Sequence, residues 1–366
     1  YNGIELPALW PPRVEKFVMP MPVPYLVAPP KVIPIDVGRQ LFVDDFLIES
    51  STLRRTFHQA AYHPASPVIA PAERSNATEG PQIKGPVAMP FSDGVWFDPW
   101  DQLFKAWYMG DAGATTCHAV SRDGIRWEKP GFDVVPGTNV VLKHEPSRDS
   151  STVWLDQDEK DPRSRFKMFC TILPGKNAPP RGLMPPLSQA DPCPLAYYTS
   201  PDGIHWSKPV IKGLAEDRST VFYNPFRKVW VFSLKMHASP HFMLPVAVDA
   251  GWSVIYEANP GRTRFYYEHV DLNSDLQLRP KNVGFWVGAD GLDPRHPVAK
   301  YRGPPQLYNL DGVAYESLML GLFTIWQGPD NHVYKRDNIQ KRNEVLLGFS
   351  RDGFHWHRPD RKPFAG

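Results

Sequence analysis

The sequence predicts an all-β fold, a five-bladed β-propeller, with a four-bladed ring or an incomplete fifth blade as the alternative. Three observations predict it. One motif, S-x-D-G-x-x-W-x-x-P, occurs three times, at Ser121–Pro130, Ser200–Pro209 and Ser350–Pro359. Its Asp-Gly steps at 123, 202 and 352 lie 79 and 150 residues apart, one period and about two, and fixed-period self-similarity marks a repeat architecture. A second repeat agrees: Asp149–Asp156 matches Asp217–Asn224, 68 residues on, and each copy opens a period. The composition points the same way, since 41 Pro, 12 Trp, 14 Tyr and 20 Phe suit short strands and ordered loops and suit helices poorly. Four-stranded units repeated around a ring describe a propeller.

Taken in order, residues 1–35 are Pro-rich and aperiodic, an extended arm lying over a single domain that fills 36–366. Gln40–Ile48 reads as a strand interrupted by two adjacent carboxylates, Asp44 and Asp45, and is assigned to a fifth blade shared between the chain ends. Residues 54–85 read as loop. Strands are expected at Gly94–Phe97, Leu103–Met109 and Thr116–Val120 before the first motif. Those before the second are Thr152–Leu155, Arg165–Ile172 and Leu195–Thr199. Thr220–Tyr223 and Val229–Leu234 open the third period. Val313–Tyr315, Leu318–Ile325 and Glu344–Phe349 precede the last motif. A skipped copy belongs near residue 277, and Asp271–Pro280 fits it in degenerate form. Pro-rich insertions at 173–194 and 238–247 read as long loops.

Asp-Gly is a turn signal, because glycine takes positive φ without steric cost. The Ser and Asp side chains can accept turn N–H bonds and the Trp can pack across the hairpin. The motif therefore reports fold, and the chemistry lies elsewhere.

A net charge of +2 without a basic run gives no argument for nucleic acid or an anionic membrane. No apolar run approaches the ~18 residues of a membrane-spanning helix. Cys117, Cys170 and Cys193 are odd in number and lack metal spacing. The first two read as buried thiols and Cys193 as a loop residue. His118, His237 and His241 are scattered without ligand spacing. Tyr1 in place of an initial Met agrees with a removed signal peptide or with a chain trimmed at its start; a secreted or periplasmic protein is expected.

On Leu41–Glu49, Leu103–Tyr108, the three motifs and Tyr315-Glu316 before Leu318–Leu322, the sequence resembles the five-bladed propeller glycoside hydrolases. That superfamily contains the family 43 arabinanases and xylosidases and the family 32 fructosidases; in particular the sequence looks like the bacterial proteins usually labelled family-32-like. The resemblance covers about residues 36–360. It implies acids at inner-strand starts converging on an axial funnel: an early Asp as nucleophile or base, a second-blade Asp that orients, and a Glu as general acid. Asp44 or Asp45 matches the early Asp, and Asp149 the second-blade Asp. Glu79-Gly80-Pro81 matches the family 43 Glu-Gly-Pro letters one or two blades early, whereas the third-blade start offers Asp217. Lys84, Arg148 and Arg218 are substrate-binding candidates able to keep acids ionised; Trp107 and Glu316 complete that set.

Glycoside cleavage needs one protonated carboxyl and one ionised carboxylate, and crowded acids raise one another's pKa. Against this stand plainer readings. Adjacent Asp in a strand point to opposite faces, so at most one of Asp44 and Asp45 faces a funnel. Asp149 and Asp217 can equally cap strands by bonding the following Ser N–H. The leading expectation is an exo-acting glycoside hydrolase on a plant or algal polysaccharide. A non-catalytic carbohydrate-binding propeller and a glycoside phosphorylase are the alternatives. No cofactor is expected, with a structural or axial Ca2+ left open. The expected partner is a carbohydrate, not nucleic acid or membrane.

Overall fold

The computed structural model describes residues 1–12, 16–17, 20–71, 87–173, 193–238, 255–256, 261–276, 278 and 282–365. They divide into two compact units: unit 1 has Tyr1–Ala60 and Val221–Gly366, and unit 2 has Ala61–Met184 and Asp191–Thr220. In unit 1, β1 (Lys16–Phe17) precedes a short helix α1 (Pro24–Val27).

The fold is all-β and of the propeller class, with four blades among the described residues. Blade 1 holds β2 (Val95–Asp98), β3 (Leu103–Gly110), β4 (Thr115–Ser121), β5 (Trp127–Glu128) and β6 (Val140–Lys143). Its order is β2-β3-β4-β5, with β6 also paired to β4. Blade 2 is the meander β7 (Arg148–Leu155), β8 (Phe166–Ile172), β9 (Cys193–Ser200) and β10 (Val210–Ala215). Both belong to unit 2. Blade 3 is β11 (Thr220–Asn224), β12 (Val229–Ala238), β14 (Gly261–His269) and β15 (Gly284–Gly288), while β13 (Ile255–Tyr256) pairs in parallel with β1. Blade 4 is β16 (Gln306–Tyr315), β17 (Leu318–Gly328) and β18 (Arg342–Ser350). Isolated bridges add His357 and Ala365 to its outer side. Blade 4 and blade 3 from Val221 on belong to unit 1. A second helix, α2 (Asn331–Asp337), follows β17.

The strands form where short apolar runs alternate with turns. In unit 2 they bury Trp107, Val153, Phe166, Met168, Cys170 and Ala196 in one cluster, with Trp206 packed against it. In unit 1 the Trp286 ring meets Phe222, Tyr266, Phe354 and Trp356.

The three S-x-D-G motifs are the same hairpin staple. The Ser hydroxyl accepts the glycine N–H at 2.9 Å in each copy. The Asp carboxylate accepts the next N–H, from Ile125, Ile204 and Phe354, at 2.8, 2.8 and 2.9 Å. All three glycines sit at positive φ, +72°, +79° and +82°. Each motif follows the third strand of its blade. So does the degenerate copy after β14, where Asp271 accepts the Asn273 N–H at 2.8 Å. The repeat thus marks every blade.

Three expectations are corrected. Gln40–Ile48 forms turns, not a strand. Asp44 accepts the Phe46 N–H at 3.2 Å, a turn bond that competes with sheet pairing. No fifth blade is found among the described residues, which leaves the four-bladed alternative. Cys193 opens β9 and is buried rather than lying in a loop; all three cysteines are buried and outside any disulfide. The Pro-rich insertions at 173–194 and 238–247 fall almost wholly outside the described residues. Among the described residues no helix is long and apolar enough to cross a membrane.

The N-terminal arm is tied to unit 1. Asn2 donates to the carbonyls of Ser317 and Arg351 at 3.2 and 3.0 Å. Tyr25 donates to His355 O at 3.2 Å.

The surroundings of two staple glycines differ, and that sets a test. A Cβ on Gly124 meets nothing within 4 Å, whereas one on Gly203 lands 2.4 Å from the buried Trp107 ring. Gly124→Ala should cost about 1 kcal/mol, from positive φ alone. Gly203→Ala should cost roughly 2–4 kcal/mol, because overpacking adds to it. Urea midpoints of the two variants measure the difference; equal losses would contradict the packing.

Candidate functional site

The candidate site is a charged cluster at the start of β7 in unit 2. Asp93 arrives on the turn before β2, where Gly94 (φ +102°) lets the chain approach β7 closely. A Cβ on Gly94 would lie 2.6 Å from Val153 O. The Val153 N–H donates to Asp93 O at 2.9 Å, which locks the turn against the strand.

Asp93 and Arg148 are both fully buried and pair at 3.0 Å between Oδ2 and Nη2. The Ser151 hydroxyl donates to the other Asp93 oxygen. Burial pushes the Asp93 carboxyl above the usual carboxylate range, and Arg148 and the Ser151 hydroxyl pull the other way. Arg148 also donates through Nε to the Thr116 hydroxyl at 2.9 Å, and through Nη1 to Asp149 O at 2.9 Å. Thr116 in turn stands 2.9 Å from His144 Nε2. Burial, assisted by the Arg148 charge, lowers His144 to about 3.

Asp149 faces outward from this buried base. Its carboxylate is one-fifth exposed, and Arg218 Nε lies 3.5 Å from Oδ1. The Arg218 guanidinium rests 3.5 Å from the Phe91 ring centroid, a cation–π seat that fixes its plane. Asp217 is half-buried on the adjoining residue. The Asp149 carboxylate also accepts the Ser150 N–H at 2.7 Å, the strand-capping bond expected on the plainer reading. Cap and ion pair coexist there.

Three predicted residues thus come together, Arg148, Asp149 and Arg218, and Asp217 precedes Arg218 in the chain. Glu79 and Lys84 lie outside the described residues. Asp44 and Asp45 belong to unit 1. Asp44 is fully buried and clamped by Arg351 Nε at 3.0 and 2.9 Å, with Arg351 Nη2 donating to Leu41 O at 2.7 Å. It ties the 40–48 turns to the last staple. Asp45 is largely exposed and pairs with Arg55 at 2.5 Å. Glu316 sits in the turn between β16 and β17 at φ +53° and pairs with Arg39 at 2.5 Å. Trp107 is completely buried, and its indole N–H donates to Gly203 O at 2.8 Å. It holds the blade 2 staple.

Asp93 was missed because Ser92-Asp93-Gly94 reads as one more turn. A sequence signal existed: Arg148, next to the candidate acid, needs a carboxylate of its own when buried. Burial also pushes the Cys170 thiol up to about 12, so it is inert. Among the described residues no group of three or more His, Cys, Asp or Glu side chains is arranged to hold a metal ion.

No protein-family model and no curated protein matches the chain. Solved structures similar to it include family 43 and family 32 glycoside hydrolases, the groups that the sequence resembles. A thermostable family-43 glycoside hydrolase is 9% identical over 76% of this chain and 75% of its own, with a TM-score of 0.46. The family-32 β-fructofuranosidase of Bombyx mori is 14% identical over 72% of this chain and 48% of its own, at 0.42. An N-acetylgalactosamine deacetylase of F. plautii, solved with blood group B trisaccharide, is 12% identical over 77% and 71%, at 0.47. At these values none of them assigns a role to a residue of this chain.

The buried pair yields a pH-dependent test. Without Arg148, burial is opposed only by the Ser151 bond and the more distant Arg218 charge, and the Asp93 carboxyl rises further. A raised folded-state pKa contributes stability below the unfolded value and loses it as pH rises through the folded one. Arg148→Met should therefore lose about 3–5 kcal/mol at neutral pH, with a smaller deficit near about pH 5 than near about pH 8. Urea unfolding at the two pH values reads it; a deficit larger at the acid end would contradict the pairing.

Proposed function

We propose that the protein is a glycoside hydrolase that uses carboxylates of unit 2 to cleave a plant or algal oligo- or polysaccharide. Asp149 is the ionised carboxylate that attacks the anomeric carbon or activates water. Asp217 and Glu79 are the candidates for the proton donor. Exo-action and a location outside the cytoplasm are the finer parts of the reading.

One observation carries it: a fully buried Asp93–Arg148 pair lies directly behind the partly exposed Asp149 carboxylate. Burying an ion pair is unfavourable unless its geometry and hydrogen bonds are good. A simple strand cap needs no such support. A reacting carboxylate does, because catalysis depends on groups held in place before the substrate arrives. Arg218, seated on Phe91, closes the other side.

The phosphorylase alternative loses Arg148, which is engaged by Asp93 and Thr116 and withdrawn from any phosphate pocket. The binding-module alternative is favoured only by the Ser150 capping bond.

Asp149→Asn, Asp217→Asn and Glu79→Gln, assayed on a panel of aryl glycosides and polysaccharides, test the assignment. Asp149→Asn should lower kcat by roughly three orders of magnitude or more while saccharide affinity stays within a few-fold. A carboxyl spacing of about 5 Å between the acting pair goes with retention of configuration, and roughly 6.5–9.5 Å with inversion; proton NMR of the first-formed anomer reads which. No turnover on the whole panel, with glycan binding equal in all variants, would leave only the binding module.

A further inference from the structure

Unit 1 contains a cavity of about 630 Å3 that the cluster of Asp149 does not use. This is within the usual span of small-ligand pockets, roughly 300–1,000 Å3. The start of β14, the start of β16 and the end of β17 wall it, and the 300–304 turn and α2 flank its mouth. Three cations line it, Arg262, Lys300 and Arg302, against one carboxylate, Asp330.

Each cation is placed by the fold. The Arg262 guanidinium lies 4.4 Å from the centroid of the buried Trp326 ring. Gln306 Oε1 accepts from Arg262 Nη1 at 2.8 Å and from its backbone N–H at 3.1 Å, which fixes the fork. Arg262 Nε is buried without a hydrogen-bond partner among the described residues. No carboxylate there pairs with Arg262 either. Arg302 is aimed by the carbonyls of His296 and Pro297 at 3.1 and 2.9 Å. These acceptors orient its charge without neutralising it. Lys300 reaches Asp337 only at 3.4 Å and is two-thirds exposed.

A rigid guanidinium on an indole, held by a neutral amide, presents a planar donor fork with its charge uncompensated. That is the geometry that takes a carboxylate bidentately. A neutral sugar could accept hydrogen bonds from these side chains but would leave the Arg262 and Arg302 charges unmatched. The geometry points to an anionic saccharide as the occupant: this cavity binds the carboxylate of a uronic acid residue, with Arg262 as the fork and Lys300 and Arg302 as supporting charges. The inference rests on the reading of the protein as acting on saccharides, and it names their class as acidic.

Calorimetric titration of the full chain tests it with uronic acid oligosaccharides, the same oligosaccharides after carboxyl reduction, a sulfated oligosaccharide, and inorganic sulfate. The uronate oligosaccharides should bind, and carboxyl reduction should weaken them by roughly 10- to 100-fold. Arg262→Lys should lose about tenfold or more, since a point charge does not replace the fork. Lys300→Met, at an exposed position, keeps the test valid if Arg262 variants unfold, and it should weaken binding about three-fold or more. Asp149→Asn should bind as the parent does, so loss of hydrolysis and loss of this site are read separately. Equal binding of acidic and reduced oligosaccharides would overturn the inference. So would unchanged binding in both cavity variants. Tighter binding of the sulfated oligosaccharide, or of sulfate alone, would overturn the assignment to a uronate.

Discussion

The buried ion pair between Arg148 and Asp93 is the interaction on which unit 2 is arranged. Removing two charges from water is expensive, and attraction within the pair offsets it only when every remaining donor and acceptor finds a partner. Here they do. Asp93 takes Ser151 as well as Arg148, and Arg148 takes Thr116 and the Asp149 carbonyl. The pair fixes the turn before β2 against the start of β7 and, through the Asp149 carbonyl, the backbone that carries the outward carboxylate. The outward carboxylate inherits its position from the buried one.

The same device recurs. Asp44 and Arg351 clamp the 40–48 turns to the blade 4 staple, with both side chains fully buried. Asp290 and Asp293 receive Arg358 and Arg361 beside the end of blade 3. Asp98 takes Arg165 and Lys105 between blades 1 and 2. A fold of short strands has few residues per sheet to bury, and charge pairs with fixed geometry specify which turn meets which strand. The Asp-Gly staples act one level below, closing each hairpin with local bonds that depend on no distant partner.

That difference explains what was legible in the sequence. Staples were legible because all their partners lie within a few residues: Ser200, Asp202 and Gly203 satisfy one another whatever the rest of the chain does. Strands such as Leu103–Gly110 were legible from apolar runs bounded by turn residues. Gln40–Ile48 was misread because its determinant, Arg351, is 307 residues away. Asp93 was overlooked for the same reason, since an Asp-Gly step looks alike whether it turns a hairpin or meets a buried arginine 55 residues on. Arg148, Asp149, Asp217 and Arg218 were reached through repeat position, which is a topological signal. Trp107 looks like any ring that could stack on a sugar, and only packing shows that Gly203 and Phe166 enclose it.

Chemical rescue separates most directly the two roles open to Asp149, a reacting carboxylate and a mere strand cap. Asp149→Gly should be nearly inactive on an activated aryl glycoside. Added azide should restore turnover and give a glycosyl azide, because the small anion occupies the vacated position and attacks the sugar. A variant that loses activity without azide-dependent recovery, or that recovers with no glycosyl azide formed, would show that Asp149 serves the strand and that the chemistry lies elsewhere.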